Sequence, residues 1–115
     1  MMKTKWIVLM LSALFVAACG APTSEADVWK NAPAAALNSR ADLVERLQVD
    51  PDTIKLVSVR AVNWPDGCLG VQTPDVMCTM VITPGHLVIL EVDGQQYEYH
   101  TNASGDVVRL ATTTP

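Results

Sequence analysis

The spacing of apolar residues changes period once in this chain, at Val49-Asp50-Pro51-Asp52, and that change limits the fold more than any other feature. Before it, Leu43, Val44 and Leu47 recur at helical spacing behind Ser39 and Asp42, which reads as a helix over residues 39–48 with an acidic first turn. Pro51 ends that helix, because proline has no N–H to donate and disfavours helical backbone in the residue before it. Asp52 then caps a short turn leading to Ile54. From Lys55 the period is two: Val57, Val59 and Ala61 alternate with Ser58 and Arg60, as in a strand with one buried face. Further strands are expected over residues 79–83, 87–92, 96–101 and 107–110. Their separators are turns at Pro84-Gly85 and Ser104-Gly105 and a tight hairpin at Asp93-Gly94, where both positions accept positive φ. The expected fold is α+β, one N-terminal helix packed on an antiparallel meander of about five strands, with the other sheet face partly open. Residues 38–112 form the domain and 113–115 a disordered tail.

The start of the chain is read separately. Lys3 and Lys5 precede an apolar run over residues 6–16, then Ala17-Ala18-Cys19, which is a secretory signal over residues 1–18. The run falls short of the roughly 20 apolar residues that a spanning helix needs. Val16-Ala17-Ala18-Cys19 resembles the lipobox of bacterial lipoproteins. The resemblance implies cleavage before Cys19, lipid on that cysteine, and export to the periplasmic or extracellular face of the bacterial cell membrane. The Ala, Pro, Ser and Thr of residues 19–37 then read as a flexible tether, with room for one short turn at Val28 and Trp29.

That compartment decides the chemistry of the other two cysteines. Cys68 and Cys78 remain as an even pair where oxidation is favoured, in a domain small enough to benefit from a staple, so a disulfide is expected between them. Charge decides against another class of partner. Without Lys3 and Lys5 the chain keeps six basic side chains against twelve acidic ones, a formal charge of −6. The basic residues are scattered singly, which excludes a nucleic-acid interface.

Trp64-Pro65-Asp66 spells the general-acid loop of tyrosine phosphatases, but that chemistry needs a cysteine followed six residues later by arginine. The sixth residue after Cys19, Cys68 and Cys78 is Glu25, Pro74 and Pro84. Cys68, Cys78, His86 and His100 do not have the paired spacing of a zinc site. Asp66 and Asp75 lack the dense oxygen ligands of a calcium loop, and no Gly-x-Ser-x-Gly occurs. The expectation is a domain that is not an enzyme and carries no cofactor or metal.

The stretches D-L-V-E-R-L-Q-V-D-P-D-T-I, V-N-W-P-D-G-C-L-G, T-P-D-V-M-C, T-P-G-H and Y-E-Y-H-T-N together resemble a group of uncharacterised small bacterial secreted proteins and lipoproteins. These share a W-P-D-G-x-L-G loop, a proline-glycine turn and a tyrosine-rich strand ending in histidine-threonine. Pro74-Asp75 departs from the proline-glycine usual at that point. Helix-then-sheet order is also similar, at fold level alone, to PepSY and beta-lactamase-inhibitor-protein units.

A loop of some fifteen residues from Trp64 to Cys78 is long for a compact domain and suits either a binding element or a self-packed loop. Trp64 and Leu69 are expected to fold back on the open end of the core, with residues 71–77 presented. The expected binding residues are Trp64, Asp66, Leu69, Val71, Gln72 and Met77 in the loop and Tyr97, Tyr99 and His100 on a sheet face. The expected function is a lipid-anchored envelope domain that binds a protein or peptide. The alternatives are a structural spacer and, behind it, a small-molecule or metal module.

Overall fold

The computed structural model describes residues 24–114; the expected signal over residues 1–18 and the expected lipidation of Cys19 lie outside the described residues. In chain order the elements are α1 (Glu25–Lys30), α2 (Ala34–Leu47), a 3₁₀ turn (Pro51–Thr53), β1 (Lys55–Trp64), β2 (Thr83–Val92), β3 (Gln95–Asn102) and β4 (Val108–Thr114). The strands form one antiparallel meander in the order β1-β2-β3-β4. The α+β class holds, with four strands among the described residues rather than five.

α1 begins where the Ser24 side chain accepts from the Asp27 N–H at 3.2 Å, and it falls within the segment read as tether. It is docked. The Trp29 indole donates to the Ile54 carbonyl at 3.1 Å, and the Arg40 guanidinium lies 4.1 Å from the ring centroid, within cation–π range. α2 begins five residues earlier than its apolar spacing suggests, because Ala34-Ala35-Ala36 continues the helix on propensity alone. Ser39 is consequently not a cap. It is buried mid-helix, and its hydroxyl donates back to the Ala35 carbonyl at 2.7 Å. The helix closes at Gln48, in left-handed backbone, and Asp50 rather than Asp52 caps the 3₁₀ turn by accepting from the Asp52 N–H at 2.8 Å.

The core lies between α2 and one face of the sheet. Leu43, Ile54, Val88, Leu90, Val92, Tyr97 and Tyr99 fill it, with Ala35 and Ala36 letting the helix approach closely. Gly105 in the β3–β4 turn, at φ +79, touches the start of α2. A Cβ there would lie 2.6 Å from the Ala35 nitrogen. Asn38 fastens the same contact by donating to the Gly105 carbonyl at 2.7 Å.

Four strand-level expectations are corrected. A bulge between Leu56 and Ser58 turns Val57 to solvent, so Leu56 and Val59 pack on the core while Ala61 is exposed. Residues 79–82 form no strand. Pro84-Gly85 is not a turn but lies inside β2, where Pro84 pairs with Asn63 and Gly85 with Val62 and Asn102. Proline fits there because β3 pairing stops at Gly85, so that side of Pro84 has no ladder to join. Thr113 and Thr114, expected in a disordered tail, pair with Tyr97 and Gln96.

Candidate functional site

The segment between β1 and β2, residues 65–82, is the longest stretch without regular structure among residues 24–114. Its first half is packed tightly. Asp66 accepts through Oδ1 from the N–H groups of Cys68 at 2.9 Å and Gly70 at 3.1 Å, and its carbonyl accepts from Leu69 at 3.2 Å. This side-chain-to-backbone turn explains the aspartate of the Trp-Pro-Asp-Gly stretch. It forces Leu69 (φ 60) and Gly70 (φ 71) into left-handed backbone, which is unfavourable for a leucine. The buried Leu69 side chain and its bonded carbonyl hold it there. That carbonyl accepts from His100 Nδ1 at 2.6 Å, which places the imidazole proton on Nδ1 and leaves Nε2 3.6 Å from Glu98 Oε2.

Trp64 completes this plug. Its ring stacks on His100 with centroids 3.9 Å apart and planes 16° from parallel, and its Nε1 donates to the Thr101 carbonyl at 2.8 Å. To reach β3 the indole must cross β2, and it does so over Gly85. A Cβ at Gly85 would lie 2.5 Å from Trp64 Nε1 and 1.9 Å from the Thr101 oxygen. The plug therefore covers one end of the sheet face opposite the helix.

The disulfide joins Cys68, in the plug, to Cys78, with Cα atoms 5.4 Å apart. Asp66, Cys68 and Cys78 bring a carboxylate and two sulfurs within 4.8 Å, but the sulfurs are bonded to each other and the carboxylate accepts two N–H bonds. That donor set is spent on the turn. His86 lines a shallow groove of ≈ 260 Å³ with Ala61, Val62, Asn63, Pro84 and Ala103, and its Nδ1 is buried without a hydrogen-bond partner. By strand alternation His86 and His100 point to opposite faces of the sheet.

The second half of the segment is different. Val76 (51 %), Met77 (97 %), Met80 (83 %), Val81 (57 %) and Ile82 (71 %) are exposed around the bridged Cys78. Asp66, Gln72, Thr73, Val76, Cys78 and Met80 line a hollow of ≈ 240 Å³ between the two halves.

The expected loop residues thus divide. Trp64, Asp66 and Leu69 build the plug, Val71 is half-buried, and Gln72 and Met77 are exposed. The expected sheet-face set does not assemble. Tyr97 and Tyr99 are buried against the helix, and His100 alone of the three lies on the other face. The Tyr99 hydroxyl donates to Asp42 Oδ2 at 2.7 Å. Burial, with the Asp42 carboxylate beside it, pushes its phenol well above the usual tyrosine range. The same carboxylate raises the Arg46 guanidinium above its ordinary value through their hydrogen bond. Met80, Val81 and Ile82 are absent from the expected binding residues because the uncharged, β-branched run from Thr79 to Thr83 reads as a strand. The signal available was the absence of charge over residues 76–82.

Fold and loop together define a small α+β domain with a disulfide-stapled surface loop. The chain belongs to the family described as a domain of unknown function, DUF8738, which matches residues 36–110. No curated protein and no solved structure matches the chain. Among the described residues no helix is long and apolar enough to cross a membrane.

Proposed function

We propose that the protein is a lipid-anchored cell-envelope domain that binds a protein or peptide partner, as an inhibitor or assembly factor does, and catalyses no reaction. The observation that carries this reading is the exposed run of Val76, Met77, Met80, Val81 and Ile82 beside the disulfide. Five large exposed apolar side chains within seven residues that carry no charge are the composition of a contact site. Methionine side chains adapt to varied partner surfaces, and the staple lowers the ordering cost of binding. Cys19 supplies the anchor, through the lipobox resemblance of the residues before it.

The test is chemical cross-linking of the full chain in intact envelopes, comparing wild type with a Met77→Ser, Met80→Ser variant. The variant is expected to lose the wild-type adducts while its Tm stays put, since exposed substitutions away from packed features change stability by about 0.5 kcal/mol at most. An unchanged adduct pattern would sink the reading. Palmitate labelling is expected in wild type and absent from Cys19→Ser; label retained by that variant removes the anchor.

A further inference from the structure

Sulfur is distributed unevenly in this chain. Three of the five methionines, Met1, Met2 and Met10, precede Cys19, and the other two, Met77 and Met80, sit either side of Cys78 in the exposed half of the loop. Neither of these two is spent on packing: the core is built from Leu, Ile, Val, Ala, Tyr and Trp, although methionine is an ordinary filler of cores. Met77 is 97 % exposed and Met80 83 %. Backbone geometry holds the second of them out. The Val81 N–H donates to the Thr79 carbonyl at 2.9 Å, closing a three-residue turn with Met80 at its apex, and the Thr83 hydroxyl donates to the Val81 carbonyl at 2.9 Å. The remaining sulfur and large aromatic side chains among the described residues are protected from oxidants. Cys68 and Cys78 are already bonded to each other, and Trp29, Trp64, Tyr97 and Tyr99 are buried, with both indole N–H groups in hydrogen bonds.

We propose that Met77 and Met80 are a modification site for hydroperoxides, at which conversion of the two thioethers to sulfoxides ends contact between the loop and its partner. The proposal rests on the reading of the loop as a contact surface and supplies its regulation. In each step a lone pair on Sδ attacks the outer oxygen of the peroxide. The S–O bond forms as the O–O bond breaks, and the departing oxide takes the peroxide proton and leaves as water or an alcohol. Sulfur loses two electrons and the peroxide gains them, so the step balances without a further reactant. A flexible apolar side chain thereby becomes a polar one, with an oxygen that accepts hydrogen bonds. Burying that oxygen against an apolar partner surface without a bond is unfavourable, and two of the five side chains in the exposed run change in this way. The fold is untouched, because both side chains already stand in water and neither belongs to the core.

Hydrogen peroxide is the probe, applied to the full chain. Peptide mapping after treatment is expected to find one added oxygen on Met77 and one on Met80, and none on Trp29, Trp64, Tyr97 or Tyr99. Thioethers that stay unmodified while an indole gains oxygen overturn the site. Intact envelopes are then cross-linked with and without prior treatment. Wild-type adducts are expected to fall at least about tenfold on treatment, as a polar atom is forced into the contact. Those of Met77→Leu, Met80→Leu are expected to persist, since leucine keeps the volume and apolar character of methionine and has no sulfur to oxidise. Met77→Gln, Met80→Gln, polar without treatment, is expected to lack them from the start, with Tm unchanged in both variants. Adducts that survive peroxide in the wild type, or that persist in the glutamine variant, overturn the regulation. Loss from the leucine variant on treatment overturns it as well, because the oxidant then acts on the partner. Absence of adducts from the untreated wild type removes the contact surface itself, and with it the reading on which the proposal rests.

Discussion

Trp64 and Gly85 act as one device: the indole can stack on His100 and bond the Thr101 carbonyl because the residue beneath it has no side chain. Gly85→Ala is expected to destabilise the domain by about 3 kcal/mol, the upper end of overpacking costs. Chemical denaturation measures the loss, and the change should coincide with a red shift in tryptophan emission as Trp64 leaves its site. A shift without loss of stability would mean that the plug is ornamental to the fold. Asp66 shows the same economy of role. A residue whose neighbours suggest a general acid is committed through one oxygen to two backbone N–H groups.

At the level of elements the disulfide ties the exposed half of the loop to the packed half. Replacing Cys68 and Cys78 together by serine is expected to lower stability by about 3 kcal/mol, from the unfolded-state freedom regained over a sequence separation of ten. Denaturant midpoints of the two forms check it, and a free-thiol assay finding two reactive thiols in the exported wild type would refute the bridge. This pairing was legible from the even cysteine pair in a small domain, and the β2–β3 hairpin from its turn residues, where Asp93 (φ 51) and Gly94 (φ 80) do what that dipeptide suggests. The start of α2 was not, because alanine forms helix without marking a face. Residues 79–82 read as a strand because composition reports a preference for extended backbone and cannot report whether a neighbour stands alongside. Tyr97 and Tyr99 were legible as alternating residues, but period two alone does not say which face the helix covers.

Over the described residues one helical layer covers one sheet face, and a part-buried polar link from α2 to a strand is Tyr99 with Asp42. Its phenol is raised in the folded state, so the neutral form is the one that folding favours. The sign follows: the contribution is complete below the ordinary phenol value near pH 10. Above it the unfolded chain releases a proton that the folded chain keeps, and stability falls by about 1.4 kcal/mol per pH unit. Denaturation curves between pH 9 and pH 11 are expected to show that slope in wild type and to lose it in Tyr99→Phe. The same slope in both would place the titration elsewhere.

The docking of α1 through Trp29 sets a geometric scale for an anchored chain. If residues 19–37 were all leash, the domain could wander more than about 60 Å from the bilayer. The first described helix starts at Glu25, and the chain from Cys19 to its Ser24 cap can reach about 18 Å at most. Trp29 bonds the Ile54 carbonyl immediately before β1, whereas residues 65–82 leave from the Trp64 end of β1, one strand length of about 33 Å away. In a chain held at Cys19, the stapled loop would therefore stand at the end of β1 away from the docked helix, so that the helix and not the leash sets how the loop is presented.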